Sequence, residues 1–216
     1  MSTARPREFY EAKYHFAEDA EVPNLPRLWR ALRHLEPLGH TVFLDLGSGV
    51  GWAARLALSR GQARLAVALD FARRPLVIGR GVTPEARWVC GDGTALPFPR
   101  ETFDRVFSFG SMEHFPDVAQ GFGELARVLR PGGRAVVAVP NFYVRTDQPL
   151  EFRATRRGWE AVIRRAGLEV VSVGTDSGPA VFKNWRPVRL LLRIGLKVIS
   201  LVPGLRYQFV FVLRKP

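Results

Sequence analysis

Cysteine is nearly absent from this 216-residue chain, occurring once as Cys90, so no internal disulfide can form. The four histidines are not set at ligand spacing with it, so no zinc site is expected and Cys90 reads as a small buried apolar residue at a strand end. No uninterrupted apolar run reaches the roughly 18 residues of a membrane span. The first twelve residues lack an apolar signal core, which gives a cytoplasmic protein as the expectation. Acidic residues are missing altogether from 177 to 216. Residues 1–150 carry net +3 and residues 151–216 net +9 of the total +12. A segment of that kind attracts phosphates, acidic metabolites or anionic lipid heads. Arginine outnumbers lysine 28 to 4, and an arginine-rich solvated face would leave the same trace.

What is present is enough for a core: 47% of residues are hydrophobic, and the length favours one domain with additions. The most telling stretch is Phe43-Leu44-Asp45-Leu46-Gly47-Ser48-Gly49-Val50-Gly51, an apolar run that breaks into three alternating glycines before Trp52. It suits a strand turning tightly into a helix while bare backbone approaches a ligand. A dinucleotide site would place its third glycine one position later, where Trp52 stands, and a P-loop would end in Gly-Lys-Ser/Thr. A nucleoside ligand is therefore expected, the alternative being a plain tight connection. Further polar groups follow apolar strands: Asp70 after residues 65–69, Gly91-Asp92-Gly93 after 86–90, and Gly110-Ser111-Met112-Glu113-His114 after 103–109. In an open parallel sheet such strand ends line one crevice.

With Asp70, Asp92, Leu96-Pro97-Phe98, Phe103-Asp104 and the run from Leu125 to Gly133, the chain resembles the class I S-adenosylmethionine-dependent methyltransferases of the small-molecule, type 11-like family. The resemblance covers about residues 42–140. It implies a Rossmann-like, doubly wound α/β fold: a seven-stranded sheet, mostly parallel, with the last strand inserted antiparallel. It also implies S-adenosylmethionine as cofactor and S-adenosylhomocysteine as product. Asp70 matches the carboxylate for the ribose hydroxyls and Asp92 the residue for the adenine amino group, with Phe71 and Leu96 as apolar walls. Asp45 matches the carboxylate that orders the loop and the cationic methionine end, while Gly47, Ser48, Gly49, Gly51 and Gly93 supply backbone contacts. One methyltransferase domain is expected over 1–216, with a helical cap over 1–38 and a helical insertion over 177–205.

The pattern also gives helices at about 24–38 and 155–166, a turn at Pro131-Gly132-Gly133 and strands at 134–139, 168–173 and 207–213. Within 186–202, Arg186, Arg189, Arg193 and Lys197 occupy an arc of roughly 80°, and the remainder is almost wholly apolar. Such a helix fits plain packing, a membrane interface, self-association or an apolar substrate lid. For catalysis, His114 is the candidate base, because it follows the strand facing the reacting methyl and titrates near neutrality. Glu113 is a weaker choice and Asp117 reads as a helix cap. Tyr10, Tyr14 and His15 are candidates for a segment closing over the cofactor. The expected acceptor is a small, lipophilic molecule. Specific nucleic acid is disfavoured, since no Asn/Asp-Pro-Pro-Tyr/Phe follows the fourth strand; RNA methylation through the basic tail and a non-catalytic cofactor-binding subunit are the rival functions.

Overall fold

The structure, a computed structural model, describes residues 4–13, 25–144, 148–176 and 207–216. Seven strands form one sheet: β1 (Val42–Leu46), β2 (Leu65–Asp70), β3 (Arg87–Cys90), β4 (Phe103–Phe109), β5 (Leu129–Pro140), β6 (Glu169–Asp176) and β7 (Gln208–Arg214). Their order is β3-β2-β1-β4-β5-β7-β6. The first five pair parallel, and β7 enters antiparallel between β5 and β6. Chain order reverses between β1 and β4, so the crevice outside their carboxyl ends is the topological switch point.

Six helices are described: α1 (Ala4–Lys13), α2 (Leu25–Leu32), α3 (Trp52–Ser59), α4 (Arg73–Val82), α5 (Val118–Val128) and α6 (Arg156–Arg165). Alternation along the strands sends side chains to two cores. Phe43, Ala66, Ala68, Phe107 and Val212 face α2 and α3, where Ala53, Ala54 and Ala57 permit close approach. Leu44, Leu46, Val106, Val137 and Phe211 face α5 and α6 through Phe122, Leu125, Trp159 and Ile163. Asp117 caps α5 as expected, its Oδ1 accepting from the Gln120 N–H at 2.9 Å; the Thr155 hydroxyl likewise caps α6.

Three expectations need correction. Cys90 is exposed, because β3 is the outer strand of the sheet and its end has no further strand to cover it. The helix expected to reach residue 38 tightens after Leu32 into a 3-10 turn and stops at Leu35, before the cis Glu36–Pro37 bond. Pro131-Gly132-Gly133 does not precede a strand but lies within β5, whose pairing with β4 shifts register there. The segment 186–202, Tyr14 and His15 lie outside the described residues. Among the described residues, no helix is long and apolar enough to cross a membrane and no cluster of His, Cys, Asp and Glu could hold a metal ion.

Candidate active site

The three alternating glycines all adopt left-handed backbone, with φ of 71° at Gly47, 53° at Gly49 and 76° at Gly51, a conformation that other residues reach only with strain. The loop is clamped to β2: the Gly47 and Ser48 N–H groups both donate to Leu69 O at 2.8 and 2.9 Å, and the Gly49 N–H donates to Asp70 Oδ2 at 2.8 Å. A Cβ on Gly47 would strike the Ser111 side chain, whose hydroxyl donates to Gly47 O at 2.9 Å. The loop after β1 and the turn after β4 are thus in direct contact.

A cavity of about 1270 Å³ opens along these strand ends. Its wall includes Asp45, Gly47, Ser48, Gly49 and Asp70, then Phe71, Asp92 and Gly93, and finally His114. Two predicted residues are not on that wall. Gly51 is the N-cap residue just before α3, and a Cβ there would strike the Trp88 ring, so its small size serves helix-to-strand packing. Leu96 is buried in the core facing α5. Its N–H donates to Glu124 Oε2 at 2.7 Å, its carbonyl accepts from Arg127 at 2.9 Å, and Arg127 also holds Phe98 O at 2.8 Å. The Leu96-Pro97-Phe98 signal is therefore a loop pinned by α5, set beside the cavity in sequence but turned away from it.

The carboxyls respond to this enclosure. Burial raises Asp45 to about 7, opposed by the Ala54 N–H that donates to it at 3.0 Å and reinforced by the neighbouring Asp70 charge. Burial also raises Asp70, although Ala72 and Gly49 N–H groups bind it. A buried and a half-buried carboxyl in proximity favour a cationic ligand. Asp92 Oδ1 accepts from both the N–H and the hydroxyl of Thr94 at 2.8 Å.

His114 rides the single 3-10 turn after β4. Its Nδ1 lies 3.2 Å from Pro149 O, and because a carbonyl only accepts, Nδ1 carries the hydrogen and Nε2 is the basic nitrogen. Burial lowers its pKa, so the ring is neutral at pH 7.

A roof over this cavity comes from α1. Ala72 offers α4 no side-chain cap, and Glu11 of α1 fills that role: its two oxygens accept from Arg73 and Arg74 N–H at 2.6 and 2.9 Å. The Tyr10 ring meets Phe71 edge-on at 5.4 Å and His114 at 6.0 Å, and its hydroxyl, like Lys13 Nζ, donates to Gln148 Oε1 at 3.3 Å. Tyr10, a candidate from the sequence, lines the cavity; Glu11 and Gln148 left no local signal, since their partners are 62 and 138 residues away.

Known proteins share this arrangement. Residues 44–137 match the family model described as a methyltransferase domain. Over 120 residues the chain is 38% identical to the 2-phytyl-1,4-naphtoquinone methyltransferase of Thermosynechococcus vestitus, covering 52% of this chain and 53% of that protein. Over 130 residues it is 37% identical to the demethylmenaquinone methyltransferase of Beutenbergia cavernae, covering 58% and 52%. The chain spans about half the length of these relatives. In fold it is similar to the methyltransferase solved with the Haloferax volcanii Trm112 activator, with a TM-score of 0.75, 21% identity and coverage of 96% of this chain and 97% of that one. The matched segment, the strand order and the glycine loop agree: residues 44–137 are similar to a methyltransferase domain, and the chain has the fold of solved methyltransferases.

Proposed function

We propose that the chain binds S-adenosylmethionine and transfers its methyl group to a small, largely apolar acceptor. The observation that carries this is a single cavity whose wall changes character. On the β1–β2 side are the glycine loop, Asp45 and Asp70; on the β4 side are Phe107, Phe109, Leu28 and Leu150. Its volume of about 1270 Å³ exceeds the roughly 300–1,000 Å³ usual for one ligand, leaving room for cofactor and acceptor together.

The residues fit the cofactor. Asp45 and Asp70 are carboxyls whose buried charge calls for a cation. Gly47, Ser48, Gly49 and Gly93 present backbone where a Cβ at Gly47 or Gly93 would collide with Ser111 or Phe115. In this reading Asp70 accepts the ribose hydroxyls, Asp92 the adenine amino group, and Phe71, half-buried on the wall, packs on the ring. The cofactor supplies an activated methyl group, so the protein's tasks are alignment and exclusion of water. The α1 roof serves the second. His114 Nε2 receives a proton if the acceptor sheds one.

An apolar acceptor is supported by Phe107 and Phe109 and by the quinone names of two relatives. The turn Gly110-Ser111-Met112-Glu113-His114 lacks the base-gripping motif and so does not support a nucleic-acid substrate. A membrane-peripheral location rests on the cationic arc and apolar remainder of 186–202 alone, and co-sedimentation with anionic versus neutral vesicles tests it, with self-association as the other outcome. Calorimetric titration with S-adenosylhomocysteine tests the central reading; no binding refutes it.

A further inference from the structure

Glu113 is 5% exposed, and its Oε2 has no hydrogen-bond partner among the described residues. It sits directly behind the cavity wall. Oε1 lies 3.9 Å from Nε2 of His114, and a Cβ placed on Gly110 would stand 3.8 Å from the same oxygen; both Gly110 and His114 line the cavity. Gly110, at φ of 69°, adds no side chain between Glu113 and the ligand space. The ionisable groups acting on Glu113 and its neighbours are Glu151, Tyr207 and His114, with Lys13 acting on the His114 ring. Arg27 on α2 is engaged by Asp176 and Gln208. Among the described residues, His114 is the only ion-pair neighbour of Glu113.

We propose that Glu113 is the exchangeable counter-charge of the cavity: it gives up its proton when a cationic ligand occupies the Gly110–His114 end, and then pairs with the imidazolium that forms when His114 takes a proton from the acceptor. This rests on the methyltransferase reading above. Burial holds Glu113 up at about 8, so it is protonated in the ligand-free protein at neutral pH, and the like charge of Glu151 adds to this. A sulfonium nearby favours the carboxylate. During transfer the acceptor's electron pair forms the new bond to the methyl carbon and the carbon–sulfur pair stays on sulfur, which becomes neutral. The acceptor's proton moves to Nε2 of His114. Positive charge passes from sulfur to imidazole, and one carboxylate at Glu113 balances it in both places, so the net charge of the buried site is unchanged.

The test needs no acceptor. Calorimetry at pH 7 in buffers of different ionisation enthalpy counts the protons released on binding S-adenosylmethionine and S-adenosylhomocysteine. The two share every group except the sulfonium, so proton release from Asp45 cancels in the difference. The wild-type protein is expected to release nearly one proton more with S-adenosylmethionine, and Glu113→Gln to show no difference while still binding S-adenosylhomocysteine. Its affinity ratio between the two ligands should fall at least fivefold. Equal proton counts in the wild-type protein, or a difference that persists in Glu113→Gln, overturn the proposal. Failure of the wild-type protein to bind S-adenosylhomocysteine instead sinks the methyltransferase reading.

Discussion

Replacing Asp70 with alanine separates ligand recognition from loop support. In the ligand-free protein each Asp70 oxygen already accepts one backbone N–H, Gly49 at 2.8 Å and Ala72 at 3.0 Å, and each retains capacity for a second bond. If those remaining positions take the two ribose hydroxyls, Asp70→Ala removes two charge-assisted hydrogen bonds at about 1.5 kcal/mol each. The expected loss is about 3 kcal/mol, a little over 100-fold in Kd. The ligand-free fold should suffer less. Two N–H groups lose their acceptor, but a carboxyl whose ionisation burial disfavours disappears with them, and these effects oppose one another. Titration calorimetry with S-adenosylhomocysteine reads the first quantity and thermal melting without ligand reads the second. A Kd within about twofold of wild type, under 0.5 kcal/mol, refutes the ribose assignment. A large drop in melting temperature with the same Kd would reassign Asp70 to loop support alone.

Gly47→Ala should cost about 2–4 kcal/mol of stability, combining left-handed backbone strain with a clash against Ser111; chemical denaturation measures it, and Ser111→Gly in the same chain should recover only the steric part. Glu11→Ala should uncap α4 and loosen α1, raising the dissociation rate of S-adenosylhomocysteine and the exchange of the Arg73 and Arg74 amides, while global melting shifts little; unchanged exchange would remove the roof from the mechanism. Asp45, raised to about 7, and Glu113, raised to about 8, make the native state bind more protons than the unfolded chain, so ligand-free stability should fall as pH rises from about 4 to 8, and Glu113→Gln should flatten the upper part of that slope in melting scans.

The parts of the site legible from sequence are those where backbone geometry restricts composition. Alternating glycines at 47, 49 and 51 mark three left-handed residues, and a lone Asp closing an apolar strand marks a carboxylate at a sheet end. Both are local facts, and the parallel order of β1, β2 and β4 brings them into one crevice. Leu96 shows where such reading fails. Its distance from Asp92 along the chain is right, but the Glu124–Arg127 pair turns it toward α5, and a side-chain direction set by residues 28 to 31 positions away leaves no mark at Leu96 itself. Gly51 fails differently: a glycine needed for a ligand and one needed for a tryptophan ring look alike until Trp88 is seen against it.

Glu113 illustrates a third kind of illegibility. A glutamate beside a histidine after a strand reads as a second-choice base, and the chemistry of Glu113 depends on a negative fact, the absence of a partner for Oε2 among the described residues, combined with burial. An isolated buried carboxyl costs free energy unless it stays protonated or meets a cation. Gly110 keeps the path from that carboxyl to the cavity open, and a cation is what S-adenosylmethionine brings in the proposed reading. The same reasoning accounts for Asp45, which shares its enclosure with Asp70. The raised carboxyls thus lie at two places along the cavity, near the end of β1 and at the turn after β4, so a ligand with positive charge at two points along its length would relieve both. The α-amino group and sulfonium of S-adenosylmethionine meet that requirement, whereas S-adenosylhomocysteine meets it at one point only, so under the proposed function the carboxyls themselves give a preference for S-adenosylmethionine.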